Sequence, residues 1–124
     1  MARIVVIEDN PQSARMAAKL LRIVGHDVIL AEDGETGLAA VMENLPELVL
    51  MDLGLPDIDG QTVIALMRQQ PDLAAIPIVA FTAWPQETAH EMAHAYGCDG
   101  VISKPIDTRT FAQQVAAYMQ PIGK

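Results

Sequence analysis

Five short apolar runs rich in β-branched residues alternate with five stretches of helical periodicity along these 124 residues. That alternation limits the fold more than any other feature. RIVVIE (3–8), DVILA (27–31), ELVLMD (47–52), IPIVAF (76–81) and GVIS (100–103) are short enough for strands and apolar enough to be buried on both faces. Between them, Ala17, Leu20, Leu21 and Val24 recur at i, i+3, i+4 and i+7, as do Leu38, Val41, Met42 and Leu45. Val63, Leu66 and Met67 mark a third helical face, Ala89, Met92, Ala93 and Tyr96 a fourth, and Phe111, Val115 and Met119 a fifth.

The punctuation agrees with this division. Asn10 and Pro11 read as the N-cap and first position of the first helix, and Gly25 closes it. EDGETG (32–37) reads as the next connection, and Pro46 ends the second helix. A loop with Pro56 and Asp59-Gly60 precedes the third helix, which stops near Pro71. Gly97 lies just past the fourth helix, and Asp107 is a candidate cap for the fifth. Five β-α units predict one α/β domain over 1–124, a doubly wound and mainly parallel sheet with helices on both faces. In such open sheets ligands bind beyond the carboxyl ends of the strands.

Those ends carry chemistry. Glu8 and Asp9 close the first run and Asp52 the third, Thr82 follows the fourth, and Lys104 follows the fifth. With the first and third strands adjacent, three carboxylates converge. Two like charges about 4 Å apart repel by about 4 kcal/mol at an effective dielectric of 20. A cation relieves that repulsion, and an all-oxygen ligand set with room for water suits Mg²⁺. Around an aspartate nucleophile, metal and Lys104 would neutralise phosphoryl oxygens, while the Thr82 hydroxyl would hydrogen-bond one of them.

Other classes are disfavoured. A formal net charge of −8 opposes nucleic-acid binding. No apolar run is long enough to span a membrane, and MARIVVIED reaches an acidic pair too early for a signal peptide. The single cysteine, Cys98, fits a reducing cytoplasm and is expected to pack as a small apolar residue. EDNPQS, after the first strand, lacks the glycine- or hydroxyl-rich cradle of a nucleotide or flavin site. HEMAHAYG (90–97) matches the H-E-x-x-H zinc-protease helix, but no histidine or glutamate follows His94 to complete a ligand set. The match is coincidental, with weak binding of Zn²⁺ or Ni²⁺ by the His90–His94 pair as its residue. His26 is expected to be solvated in a turn.

VVIEDN, LVLMDLGLPDIDG, IVAFTAW and GCDGVISKPI together resemble the receiver domain of two-component response regulators, over essentially the whole chain. The start and the ISKPI segment are similar to stand-alone, CheY-like receivers of the polarity and cell-cycle type. The resemblance implies a flavodoxin-like sheet ordered 2-1-3-4-5, with two helices on one face and three on the other. It implies that Asp52 accepts a phosphoryl group from a sensor histidine kinase or histidine phosphotransfer protein. Mg²⁺ would be held by Asp9, Asp52 and the main-chain carbonyl of Gly54, with Glu8 acting through water. Lys104 would pair with phosphoryl oxygens, Thr82 would be the switch, and Pro105 would follow a cis peptide bond.

Two positions depart from the family pattern. Val101 stands where the family usually has an aromatic switch residue, and Gly54 leaves the position two after Asp52 without a side chain. Trp84, two after Thr82, fits either a partner anchor or core packing. A surface of the fourth helix, fifth strand and fifth helix, including His90, His94 and Val101, would meet a downstream protein. Met1 just before the first strand and an end just after the fifth helix lead to the expectation of a diffusible single domain. It would be a monomer or weak dimer in the cytoplasm, with no effector domain and no external substrate. The alternatives are a receiver-shaped scaffold without a working phosphoacceptor and an aspartate-nucleophile phosphatase. The latter wants D-x-D, where this chain has Asp52-Leu53-Gly54.

Overall fold

A computed structural model describes residues 2–55 and 60–119. The elements alternate strictly: β1 (Arg3–Ile7), α1 (Pro11–Ile23), β2 (Asp27–Ala31), α2 (Gly34–Asn44), β3 (Leu48–Met51), α3 (Gly60–Gln69), β4 (Ile78–Thr82), α4 (Gln86–Tyr96), β5 (Gly100–Ser103) and α5 (Phe111–Tyr118). The strands form one sheet in the order β2-β1-β3-β4-β5, all neighbours parallel. This is the topology expected from the sequence. Of the loop before α3, Pro56 and Asp59 lie outside the described residues, as do Met1 and the last five positions.

Side-chain alternation along the strands divides the core in two. Ile4, Val6, Leu48, Leu50, Val79 and Phe81 face α1 and α5, where they meet Ala17, Ala18, Leu21, Phe111 and Val115. Val5, Ile7, Val49, Met51, Ile78 and Ala80 face the other layer and meet Val41, Val63, Ile64, Met67 and Ala93. Truncating a fully buried side chain such as Leu50 to alanine would remove about 2–5 kcal/mol.

The helices sit lower on the sheet than large apolar side chains would allow. Their buried stripes are largely small residues: Ala14, Ala17 and Ala18 on α1, Gly34 and Gly37 on α2, Ala89 and Ala93 on α4. Gly37 shows how close this approach is, because a Cβ there would lie 2.5 Å from Ile7 Cδ1. This close seating corrects several expectations. Val24, Met42, Leu45, Leu66 and Met92, assigned to buried faces, are 37–55% exposed, and Ile64 rather than Leu66 enters the core.

Helix ends follow local chemistry. Asn10 Oδ1 accepts from the N–H groups of Gln12 and Ser13, with Pro11 at the first helical position. Asp33 caps α2 through Thr36 N–H, so EDGETG is largely the first turn of that helix and not a connection. Asp107 Oδ1 accepts from Arg109 N–H, which places its side chain on the turn before α5 and leaves α5 without a side-chain cap. Gly97 ends α4 with φ 93°, a conformation that glycine adopts without penalty.

Candidate functional site

Parallel pairing of β1 with β3, in the register Ile7 to Met51, places Glu8 beside Asp52 just past the strand ends. The Asp52 N–H donates to Ile7 O at 2.9 Å, and the Glu8 N–H donates to Ala31 O at 2.9 Å, so both backbones are tied into the sheet edge. One carboxylate oxygen from each of Glu8, Asp9 and Asp52 lies within 4.8 Å of the others. Their environments differ: Glu8 is buried, Asp52 partly covered and Asp9 exposed.

Lys104 supplies the positive charge. Its Nζ forms an ion pair with Glu8 Oε1 and lies 3.9 Å from Asp52 Oδ2. The ammonium also sits 5.0 Å from the centroid of the Phe81 ring, which supports it from the core side. The Lys104 N–H donates to Thr82 O at 2.8 Å, fixing the start of the loop, and the Lys104–Pro105 peptide bond is cis. Glu8 thus bonds Lys104 directly. Its Oε2 accepts from Asn10 N–H at 3.1 Å, an anchor that the sequence signals only through the two-residue spacing.

Burial lifts the Asp52 carboxyl above its ordinary value, and the adjoining Glu8 carboxylate raises it further. The Gly54 N–H, donating to Asp52 Oδ1 at 3.0 Å, and the Lys104 charge oppose this rise. The site is electrostatically short of positive charge. One ammonium, paired with the buried Glu8 Oε1, stands against three carboxylates that offer only hard oxygen donors. These residues fit a small divalent cation such as Mg²⁺.

Thr82, at the end of β4, is 3% exposed, and its Oγ1 accepts from Trp84 N–H at 3.1 Å. Trp84 is 37% exposed in the loop leading to α4. His90 and His94 are both exposed on α4. Val101 is half-buried against the layer of α2, α3 and α4, so its contribution to the expected partner surface is mainly packing. Cys98 is half-buried, and burial pushes its thiol up to about 11. Arg68 lies near enough to oppose that shift, a basic neighbour the sequence did not reveal. His26 is engaged too: its Nδ1 accepts from Ala2 N–H at 3.1 Å.

An acidic triad, a facing lysine and a buried threonine at the carboxyl ends of a 2-1-3-4-5 sheet narrow the choice of family, and comparison closes it. The response regulator receiver domain family matches residues 4–116. The chain belongs to that family. Among relatives of this receiver is the polar-differentiation response regulator DivK of Brucella anthropi, 29% identical over 116 residues, which span 94% of each protein. A putative response regulator from Chloroflexus aurantiacus is 28% identical with a TM-score of 0.89, covering 95% of this receiver and 97% of that chain. Chemotaxis protein CheY4 of Vibrio cholerae, 22% identical with a TM-score of 0.88 and coverage of 95% and 98%, shares the fold. The Mn(2+)-bound form of response regulator Rcp1 is 26% identical with a TM-score of 0.76, covering 94% of this receiver and 91% of that chain. Receivers of this family serve two-component signalling, in which they interact with histidine kinases and downstream targets. No helix among the described residues of this receiver is long and apolar enough to cross a membrane.

Proposed function

We propose that this receiver is the phosphoacceptor of a two-component relay, with Asp52 taking a phosphoryl group from a phosphohistidine on a sensor kinase or phosphotransfer protein. The observation that carries this reading is the clustering of Glu8, Asp9 and Asp52, with the Lys104 ammonium against Glu8 and Asp52. In the transfer, an Asp52 carboxylate oxygen forms the new O–P bond as the donor's P–N bond breaks, and the imidazole nitrogen keeps the electron pair. Asp9, Asp52 and the Gly54 carbonyl would hold Mg²⁺, with Glu8 beside them; bound there, Mg²⁺ neutralises charge that builds on the transferring oxygens. The metal-bound form of Rcp1 is consistent with this assignment.

Lys104 then exchanges part of its pairing with Glu8 for the phosphoryl oxygens, and Thr82 donates its hydroxyl to one of them. Because Thr82 Oγ1 also receives Trp84 N–H, moving that hydroxyl pulls on the loop that begins α4. The output is altered binding of a downstream protein at the surface bearing Trp84, His90 and His94, with Val101 packed beneath. Phosphorylation shifts that surface by stabilising one of two states more than the other. The match to DivK over nearly its full length supports action as a stand-alone domain.

The test is intact mass after incubation with acetyl phosphate and Mg²⁺, followed by transfer from a panel of phosphorylated sensor kinases. One added phosphoryl group, absent in Asp52→Asn, supports the reading. No gain from either source would favour a scaffold role instead.

A further inference from the structure

Outside α1, every described Lys or Arg faces a carboxylate: Arg3 with Asp27, Arg68 with Asp99, Lys104 with Glu8, and Arg109 with Asp107. Arg15, Lys19 and Arg22 are different. None has a carboxylate within ion-pair distance among the described residues, in a chain with 16 acidic and 8 basic side chains. Their spacing of i, i+4 and i+7 puts them on one side of α1. Arg22 is also braced, with Nη2 donating to Val28 O at 2.8 Å, so its charge is held at a fixed place.

The same side opens onto a groove of about 560 Å³ lined by the three cations with Ile23 and Leu30. Ile23 is 69% exposed, Val24 beside it 55%, and Leu30, on the edge strand β2, 37%. Exposed apolar side chains grouped in this way, with charges at their rim, mark an interaction surface. Unpaired cations in a protein of net charge −8 select for a partner of opposite sign.

We propose that this face of α1, with the adjoining edge of β2, docks an acidic amphipathic helix of a protein partner. From Arg15 to Arg22 the cations span about 10 Å along α1, two helical turns, which an acidic stripe of the same spacing on a second helix matches. Apolar side chains beside that stripe would cover Ile23 and Leu30. The groove runs away from the acidic cluster: it begins at Arg15, about 6 Å along the axis from Pro11, the end of α1 nearest Asp52, and reaches Ile23, about 18 Å from it. Docking here leaves Asp52 open and is independent of its phosphorylation, unlike the switching surface at α4.

Two labelled synthetic peptides of identical composition test this. In one, Glu and Leu follow helical-stripe spacing; in the other, the same residues are scrambled. The striped peptide should bind the wild type, bind more weakly as salt rises, and lose at least about tenfold in affinity against Arg15→Glu/Lys19→Glu. Its affinity for Asp52→Asn should equal that for the wild type, and a striped peptide carrying Lys in place of Glu should recover binding to the charge-reversed variant. Circular dichroism of that variant confirms its fold. Equal binding of striped and scrambled peptides, no binding at low salt, indifference to the reversal, or tighter binding of a single-stranded oligonucleotide would each overturn the proposal.

Discussion

The Lys104 ammonium is bonded to Glu8 and stands 3.9 Å from Asp52, so in this state the lysine serves the buried carboxylate before the acceptor. The Glu8 side chain has no solvent exposure, and Lys104 has 16%. Removing the lysine alone leaves a buried charge uncompensated, which destabilises by about 3–5 kcal/mol. Lys104→Met should therefore lower the urea midpoint strongly, and Glu8→Gln in the same chain should restore more than half of the loss. A double variant no more stable than Lys104→Met would show that the two side chains are not coupled.

Asp52 responds to pH in the opposite sense from a salt-bridged carboxylate. Its folded-state carboxyl lies above the ordinary value of 3.8, from burial first and Glu8 second. Between those two values the folded state binds more protons than the unfolded state, so the stability contributed by Asp52 falls as pH rises through the folded value. In chelator, Asp52→Asn should gain on the wild type as pH rises from about 4 towards neutrality. Mg²⁺ should then raise the wild-type melting temperature more than that of the variant. Parallel pH curves and equal Mg²⁺ shifts would contradict shared charge strain at this site.

Much of this arrangement can be read from the residues. The run VVIED places its acids at a strand end because four apolar residues of a buried strand precede them, and Asn10-Pro11 starts a helix for reasons of local hydrogen bonding alone. What the sequence conceals is depth. An i, i+3, i+4, i+7 pattern locates a stripe only to within its flanks, and here alanine and glycine take the centre. Large neighbours such as Met42 and Met92 are therefore pushed outward. Nor does the residue order show which carboxylate Lys104 chooses, since Glu8 and Asp52 both lie within its reach.

Gly54 leaves open space beside the acceptor. Its φ lies outside the left-handed region, and an added Cβ would meet nothing nearer than Asp52 Oδ1 at 4.0 Å. Gly54→Met should change stability by no more than about 0.5 kcal/mol, as an unstrained surface substitution. A side chain standing over the carboxylate should also slow hydrolysis of phosphorylated Asp52 by excluding water. Time courses of mass loss after removal of the donor would read this directly, and an unchanged or faster decay would refute the shielding argument.

The role of Arg68 was invisible in the sequence, and its side chain ties several elements together. Its guanidinium donates to the carbonyls of Ala74, Ile76 and Gly97 and to Asp99 Oδ2, joining the end of α3 to the approach to β4 and the end of α4. Arg68→Ala should cost about 2 kcal/mol and speed hydrogen exchange near Gly97. Arg68→Lys should recover little, because an ammonium cannot reproduce the planar fork. Full recovery by lysine would mean that charge, and not geometry, holds this junction.

α4 touches the core through Ala89 and Ala93, while Gln86, Glu87, His90, Glu91 and His94 point into solvent. Its outward vocabulary is thus almost independent of the folding of the chain. On the output surface proposed above, mutations there can change which protein binds this receiver while the sheet and the acidic cluster stay as they are. A lineage of such proteins could rewire its outputs one helix face at a time.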